Sequence, residues 1–426
     1  MDQNHRATLL REHYATLHSF WESVLERTGY CAILLGAGHQ RFFFHDDQGP
    51  AFRPNPIMVQ WLAQEKISEN SWFIIAKGTD PILFFHQPDD FWHAAITAPE
   101  SLCDHLSLRV FSDLGALHTA LQDHLKQCKS GEEEIAQISE DSPAAAEGCV
   151  INPPAVIHAL HFQRACKTEY ELTSMRQASI RGARGHRAAQ QAFSSGASEF
   201  EIHLAYLEAT GMNEWQLPYG NIIAQNHHAS LLHYQYQDRQ AGEHLNSLLI
   251  DAGANVDGYA SDITRTYVGP RCYSQAAADL FAELLERMQT HQDALIDQVV
   301  PGANYVDLQA AMHQSLARIL VDTGIVQCEP EEAFNSDLTV PFCPHGLGHL
   351  LGIQVHDVGG QQLDIDGQTN PPPEPYASLR LTRPLAEDMV ITVEPGLYFI
   401  PMLLEKKRAE GAPIDWRLVE LLTPFG

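Results

Sequence analysis

Two aspartates eleven residues apart are the first feature of the sequence that could do chemistry. Asp251 ends an apolar run, and Asp262 follows a turn-rich segment that contains Asp257-Gly258. A chain reversal centred between Val256 and Asp257 would place the two aspartates opposite each other, with Cβ atoms about 4.5–5.5 Å apart. Carboxylates that close repel each other unless a cation lies between them. The spacing therefore predicts a metal site, and the simpler alternative is a turn residue beside a strand-edge aspartate.

Three histidines within twelve residues form a second candidate. His345, His349 and His356 lie in the segment PHGLGHLLGIQVHD (344–357). The glycines between the first two histidines make a helix unlikely and favour a close approach of the backbone to a neighbour. We expect an ordered loop or strand that carries these imidazoles into a site.

A glutamate and a fourth histidine lie on apolar runs. Glu394 ends the run VITVEPG. A carboxylate buried there without a partner is costly, so it needs a cation or hydrogen-bond donors. His233 lies in the run SLLHY and, considered alone, is predicted to be a core histidine.

The combined set of candidate ligands is rich in oxygen. Two aspartates, one glutamate and one histidine on strands of one domain suit Mn²⁺, Co²⁺ or Zn²⁺ better than a thiolate-dominated structural zinc site. Carboxylates can bridge two ions, so the set predicts two metal ions about 3.5–4 Å apart that share an activated water.

The elements that must position these residues indicate an α+β fold. Capping boxes at Thr168–Glu171 and Ser198–Glu201 predict two helix starts, and amphipathic patterns predict helices over 275–298 and 305–321. Strands are predicted at 221–225, 230–236, 246–251, 258–268 and 389–400. Helices and strands are clustered along this part of the chain without a strict βαβ rhythm, which is typical of α+β proteins.

The first third of the chain is predicted to be a separate, smaller α/β domain. Two apolar runs around a KGTD turn predict a hairpin over 71–87. An acidic, Ala-rich stretch covers 131–148, and its segment GEEEIAQ (131–137) is predicted to be solvated. Pro153-Pro154 interrupts regular structure and is the best boundary. The predicted domains are residues 1–155 and 156–426.

Composition excludes several classes of protein. The chain has 426 residues, 44% of them hydrophobic, and a formal net charge of −27, which disfavours a nucleic-acid binder or a partner of anionic membranes. Eight scattered cysteines without a paired spacing predict reduced thiols and a cytoplasmic protein. We expect neither a signal peptide nor a membrane-spanning segment.

Long blocks of the sequence resemble the pita-bread metallopeptidases, and within them the bacterial Xaa-Pro dipeptidases (prolidases), including the organophosphorus acid anhydrolase type. The blocks are LLIDAGANVDGYASDITRTY, PFCPHGLGHLLGIQVHDVGG, LRLTRPLAEDMVITVEPGLYFI and LVELLTPFG, with FRPNPIMVQWL and DDFWHAA in the N-terminal part. The resemblance covers essentially the whole chain. It implies an N-terminal α/β domain for dimerisation, followed by a pita-bread catalytic domain.

The resemblance also implies residue roles. The metal ligands would be Asp251, Asp262, His349 and Glu394, and the histidines around the substrate and the oxyanion would be His233, His345 and His356. Arg380 would hold the proline carboxylate. Tyr219 and Trp92 would be walls of the substrate pocket, and Trp92 would reach across a dimer. Glu394 would also relay a proton. The implied cofactor is two divalent metal ions, Mn²⁺ before Co²⁺ or Zn²⁺.

The implied activity is hydrolysis of Xaa-Pro dipeptides to an amino acid and proline, with a side activity on organophosphate esters. An aminopeptidase P-like exopeptidase and a non-catalytic binding scaffold are the alternatives. The family continues after PFG with a strand that carries a further glutamate ligand. Either the sequence stops short of that strand or this chain lacks the ligand.

Overall fold

The computed structural model describes residues 3–63, 66–92, 94, 96–99, 105–129, 131–140 and 145–426. Parts of the acidic stretch and of the DDFWHAA segment therefore lie outside the described residues. The chain forms two compact units. Unit 1 comprises residues 1–174, 257–259 and 364–368; unit 2 comprises residues 175–256, 260–363 and 369–426.

Unit 1 is built on a six-stranded mixed sheet in the order β4-β3-β2-β1-β5-β6. Its strands are β1 (Ala32–Gly36), β2 (Trp72–Ala76), β3 (Ile82–His86), β4 (Ser107–Phe111), β5 (Ile135–Ile138) and β6 (Cys149–Ile151). Its helices are α1 (Gln3–Thr28), α2 (Pro56–Trp61), α3 (Leu114–Cys128) and α4 (Pro154–Arg164). The predicted hairpin over 71–87 is confirmed, because β2 and β3 pair antiparallel around the KGTD turn.

The acidic stretch contains a core strand, so the prediction of a solvated segment is wrong there. All four residues of β5 are buried, and β5 pairs parallel with β1. The charges of GEEE precede the strand and are exposed. The acidic residues before the strand therefore led to a wrong prediction for a short apolar strand, whose side chains pack into the core of the unit.

Unit 2 surrounds a three-stranded antiparallel sheet in the order β11-β8-β7. The strands of this sheet are β7 (Ile222–Gln225), β8 (Leu245–Asp251) and β11 (Thr264–Arg271). The short strands β9 (Asn255–Val256) and β10 (Tyr259–Ala260) form a separate pair around the Asp257-Gly258 turn. The helices are α6 (Glu199–Thr210), α7 (Gln275–Ile296), α8 (Tyr305–Asp322), α9 (Pro330–Asn335), α10 (Pro401–Ala409) and α11 (Trp416–Leu422). Helix α5 (Glu169–Ser194) contains the boundary between the units. The mixed architecture confirms the α+β prediction.

Both predicted capping boxes form. At the start of α6 the Ser198 hydroxyl accepts from the Glu201 N–H at 3.3 Å, and the Glu201 carboxylate accepts from the Ser198 N–H at 2.8 Å. The α5 box pairs Thr168 and Glu171 in the same way. These local hydrogen bonds satisfy amide groups that a helix start leaves without partners.

Two of the predicted strands are wrong. The segment 230–236 begins at the end of a short 3-10 helix (Asn226–Ser230) and continues as an irregular loop. The segment 389–400 has no regular strand. It pairs instead with residues 347–351 through scattered backbone hydrogen bonds.

Removing the capping hydroxyl of α6 should weaken the fold. We expect Ser198→Ala to lower the free energy of unfolding by about 1 kcal/mol, because an amide at the helix start loses its partner. Urea unfolding measures the effect. Ser194→Ala is the matched control, since that exposed hydroxyl bonds only the carbonyl of Gln190. Equal effects of the two substitutions would contradict the capping role.

Candidate metal and catalytic site

The two aspartates stand on the two sides of a tight turn. Asp251 is the last residue of β8, and its partner in β11 is Thr264. Asp262 therefore lies diagonally from Asp251, which corrects the predicted direct opposition. The reversal is centred one residue later than predicted, because Asp257 and Gly258, with φ of 57° and 94°, take the central positions of the two-residue turn.

The carboxylates of Asp251 and Asp262 converge on one hydroxyl group. The Tyr219 Oη lies 2.6 Å from Asp251 Oδ1 and 3.0 Å from Asp262 Oδ1. Burial and the charge of Asp262 raise the pKa of Asp251 to about 7. Burial and the two carboxylates raise the pKa of Tyr219 well above its usual value, so the phenol keeps its proton. Tyr219 is thus a direct partner of both acids, a closer role than the predicted pocket wall.

His349 lies between two carboxylates. Its Nε2 atom is 3.3 Å from Asp262 Oδ2 and 3.3 Å from Glu394 Oε1. Its Nδ1 atom is 2.9 Å from the carbonyl oxygen of Leu350, which fixes the ring orientation. Burial lowers the pKa of His349, but the hydrogen bonds that its Nε2–H donates to Asp262 and Glu394 outweigh burial and raise the pKa to about 10. In this arrangement a proton on His349 Nε2 gives the ring a positive charge that offsets part of the negative charge of the two carboxylates. A bound divalent cation would offset that charge in place of the proton.

An irregular antiparallel ladder brings His349 and Glu394 together. The N–H of Thr392 donates to the carbonyl of His349 at 3.0 Å, and the N–H of Glu394 donates to the carbonyl of Leu347 at 2.8 Å. The ladder is tight at Gly348, where an added Cβ would lie 2.2 Å from the Thr392 carbonyl oxygen. The predicted close approach of the backbone in this loop is confirmed.

Thr392 is a site residue that the sequence reasoning missed. Its hydroxyl accepts from the His349 N–H at 3.0 Å and donates to Glu394 Oε1 at 2.9 Å. It thereby orients the glutamate and the histidine backbone together. The signal was its place two residues before Glu394 in an extended run, where side chains share a face.

Two further histidines border this cluster. The ring of His356 meets the ring of His349 edge-on, with centroids 4.5 Å apart and an interplanar angle of 87°. Burial and the neighbouring charges of His349 and Arg380 lower the pKa of His356 to about 4, so its imidazole is neutral. His345 packs edge-on against Tyr398, a second residue that the sequence reasoning missed, with ring centroids 5.6 Å apart.

The remaining candidates are exposed. His233 lies exposed in the loop after β7, so its interpretation as a core histidine is wrong. Arg380 is exposed, and its charge acts on His356. Trp92 belongs to unit 1, where its side chain is 78% exposed beside the Phe91 ring.

Comparisons with known proteins place this site in a family. The sequence model of metallopeptidase family M24 matches residues 173–418. The chain belongs to metallopeptidase family M24. A second model, the N-terminal domain of Xaa-Pro dipeptidase, matches residues 8–162.

Curated relatives match over nearly their whole length. A Xaa-Pro dipeptidase of Stenotrophomonas maltophilia is 38% identical over 429 residues, covering 100% of this chain and 94% of that protein. A Xaa-Pro dipeptidase of Pectobacterium atrosepticum is 40% identical, with 99% and 94% covered. The similarity therefore spans both units of this M24 protein.

Solved structures share the fold. The aminopeptidase PepP of Pseudomonas aeruginosa matches with a TM-score of 0.72 and 20% identity over 99% of this chain and 98% of that chain. Zinc-substituted aminopeptidase P of Escherichia coli, in complex with product, matches with a TM-score of 0.70 and 20% identity over 91% and 87%. The catalytic domain therefore has the pita-bread architecture.

The donor set formed by these four candidate residues fits divalent metal ions. Three carboxylates and one imidazole converge, and burial together with the charge of Asp262 raises the pKa of Asp251, an effect that a bound cation would oppose. Membership of a metallopeptidase family agrees with this chemistry. Oxygen and imidazole ligands suit Mn²⁺, Co²⁺ and Zn²⁺.

Neutralising Asp251 should stabilise the metal-free protein at high pH. The raised pKa of Asp251 means that the folded state binds more protons than the unfolded state between about pH 4 and pH 7, so stability falls as pH rises through this range. In the presence of a chelator, Asp251→Asn should gain about 1–4 kcal/mol relative to the parent between pH 4 and pH 8. Thermal unfolding across this pH range measures the gain.

The exposed Asp279→Asn substitution is the matched control and should leave the pH dependence unchanged. If Asp251→Asn and the parent lost stability in parallel from pH 5 to pH 8, the raised pKa of Asp251 would not be the cause of the pH dependence.

Proposed function

We propose that this M24 protein hydrolyses Xaa-Pro dipeptides to an amino acid and proline, using two divalent metal ions held by Asp251, Asp262, His349 and Glu394. The observation that carries the proposal is the convergence of these four side chains, with Tyr219 and His349 each contacting two of the carboxylates. Full-length similarity to proteins named Xaa-Pro dipeptidase supports the substrate class.

The substrate bond explains why a metal site suits it. The Xaa-Pro bond is a tertiary amide without an N–H, so a protease that recognises the scissile N–H cannot use it. Bound divalent ions supply an activated water and polarise the scissile carbonyl. The protein's own residues must then bind the two ends of the dipeptide and manage protons.

Glu394 is proposed to move the proton to the proline nitrogen. Its side chain is 38% exposed, so it borders both the ligand cluster and the substrate side. The hydroxyl of Thr392 holds one carboxylate oxygen at 2.9 Å and leaves the other available. A fixed carboxylate of this kind suits proton transfer, because general bases act through geometry as well as pKa.

His356 and His345 are proposed to stabilise the oxyanion of the tetrahedral intermediate, and exposed His233 to contact the substrate. The lowered pKa of His356 keeps the imidazole neutral, so its ring N–H can donate without a change of charge. A well-aimed donor of this kind lowers the barrier by about 3–4 kcal/mol.

Arg380 is proposed to pair with the proline carboxylate. Its exposed guanidinium lies near enough to His356 to lower that pKa, which supports a position at the border of the cluster. Trp92 is proposed as a pocket wall that reaches across a homodimer, with residues 1–155 forming the dimer contact. Exposed Phe91 and Trp92 support such a contact.

The remaining proposals concern metal, compartment and side activity. We propose Mn²⁺ as the native metal, since the donor set is mainly oxygen. Cytoplasmic location is supported by free thiols at Cys31, Cys128, Cys149, Cys272, Cys328 and Cys343. Among the described residues, no helix is long and apolar enough to cross a membrane. Organophosphate esters are a proposed side substrate, because tetrahedral phosphorus resembles the peptide intermediate.

Two histidine variants separate a metal ligand from an oxyanion donor. His349→Ala should purify metal-poor, since a coordinating group contributes directly to metal affinity. His356→Ala should keep its metal and lower kcat by roughly 10²–10³, the loss expected for an oxyanion donor. Elemental analysis and steady-state kinetics on the same preparations measure both effects, and circular dichroism checks folding. A fully active His356→Ala, or one as metal-poor as His349→Ala, would reject these roles.

Selectivity for substrate length tests the proposed role of Arg380. If Arg380 holds the proline carboxylate, Xaa-Pro should be cleaved and Xaa-Pro-Yaa hardly at all. Arg380→Met should raise KM for Xaa-Pro about tenfold to a hundredfold, the loss expected for a charge-assisted hydrogen bond. Arg417→Met, which removes an exposed guanidinium paired with Asp415, is the matched control. Equal rates on dipeptide and tripeptide would favour an aminopeptidase P-like activity instead.

A further inference from the structure

A chain of buried polar side chains lies behind the histidine loop. Gln309 and His313 lie one turn apart on α8, and Thr339 follows α9. Their exposed fractions are 1%, 2% and 1%. Gln309 Nε2 lies 3.1 Å from His313 Nε2, and His313 Nδ1 lies 2.9 Å from Thr339 Oγ1. Gln309 Oε1 accepts from the backbone N–H of Leu347 at 2.5 Å.

The direction of every hydrogen bond in this chain is determined. The Leu347 N–H can only donate, so it fixes the amide oxygen of Gln309 and turns the amide nitrogen toward His313. His313 Nε2 must therefore accept, and its proton sits on Nδ1, which donates to Thr339. Burial lowers the pKa of His313 to about 4, in agreement with a neutral ring. A buried network with one arrangement is stiff, because a lost bond leaves an unsatisfied polar group.

The opposite contact of His313 is with a different loop. Its ring stacks on the ring of Tyr376, with centroids 5.2 Å apart and an interplanar angle of 8°. The carbonyl of Tyr376 accepts from the N–H of Leu379 at 2.9 Å, so the stacked residue closes the turn that leads directly to Arg380.

The two loops also touch. An added Cβ at Gly346 would lie 2.8 Å from the Cα atom of Leu379. The backbone of the histidine loop therefore packs directly on the turn before Arg380. His313 contacts one loop through Gln309 and the other through Tyr376, so a single buried side chain supports both.

We propose that His313 is a positioning residue that fixes the His345–His349 loop relative to the turn that carries Arg380. The inference rests on the proposed function, in which His349 holds metal and Arg380 holds the proline carboxylate. His313 touches neither substrate nor metal in this scheme. It sets the spacing between the group that binds the carboxylate end of the dipeptide and the groups that act on its peptide bond.

His313 supports the histidine loop through Gln309, which is the hydrogen-bonded arm, and the turn before Arg380 through Tyr376, which is the stacking arm. Three substitutions separate these two arms. Gln309→Met keeps the length of the side chain and removes the acceptor for the Leu347 N–H. Tyr376→Leu removes the stacked ring and leaves the hydrogen-bonded chain intact. His313→Phe keeps an aromatic ring against Tyr376 and removes both ring nitrogens.

The expected results differ between the arms. On a Xaa-Pro dipeptide, Gln309→Met and His313→Phe should each lower kcat about tenfold to a hundredfold with little change in KM, because the histidine loop loses its support. Tyr376→Leu should mainly raise KM, because Arg380 moves. The double variant Gln309→Met/His313→Phe should lose no more than either single variant, since both act on one chain of bonds.

The matched control is His203→Phe. His203 is another histidine buried on a helix, 2% exposed, with its ring nitrogens near Glu214 and Asn221. It should lose stability and keep kcat and KM. If Gln309→Met and His313→Phe behaved like this control, with kcat unchanged per folded molecule, the positioning role would be rejected. Kinetic losses that simply multiplied in the double variant would also reject it.

Amide hydrogen exchange tests the same inference without using activity. The Leu347 N–H should exchange at least tenfold faster in Gln309→Met than in the parent or in His203→Phe. If the parent protein failed to cleave Xaa-Pro dipeptides, the proposed function would fail, while faster exchange would still support the loop-positioning role. Unchanged exchange in Gln309→Met would overturn the inference even in an active enzyme.

Discussion

Repulsion among buried carboxylates is the constraint on which the rest of unit 2 depends. Asp251, Asp262 and Glu394 converge on His349 and Tyr219, and burial together with the charge of Asp262 raises the pKa of Asp251 to about 7. A fold that forces acids together must supply rigid elements to hold them. It does so with the end of β8 for one acid and a backbone ladder for another. The same repulsion that destabilises the metal-free site favours binding of divalent ions.

Much of the fold follows from local sequence signals. The capping boxes at Ser198 and Thr168 form as expected, because each is a set of short-range hydrogen bonds that neighbouring residues determine. Strand β8 forms because its apolar run can be buried between two neighbours. The clustering of Asp251 and Glu394 with other charged groups could also be predicted, since carboxylates that end apolar runs are rarely left without a charged partner.

The features that could not be predicted from the sequence depend on pairing between residues that are far apart in the chain. The segment 230–236 has strand-like residues, but it forms an irregular loop after the 3-10 helix Asn226–Ser230, while the central strand β8 pairs with β7 and β11. The segment 389–394 is extended but pairs irregularly with the histidine loop. Thr392 was missed because its importance lies in a contact with His349, 43 residues away in the chain. The turn at Asp257-Gly258 shifted the register by preferring its own two-residue geometry.

The closeness of the ladder at Gly348 has a consequence for how this protein can be altered. An added Cβ at Gly348 would lie 2.2 Å from the Thr392 carbonyl oxygen, so even alanine does not fit there. Substitution of Gly348 would therefore require a shift of the backbone. Exposed residues such as His233 and Arg380 have no such limit. A laboratory library that seeks new substrates would therefore keep residues 346–349 and 390–394 constant and vary the exposed border. Change in substrate range and preservation of the candidate ligands His349 and Glu394 would then depend on separate sets of residues.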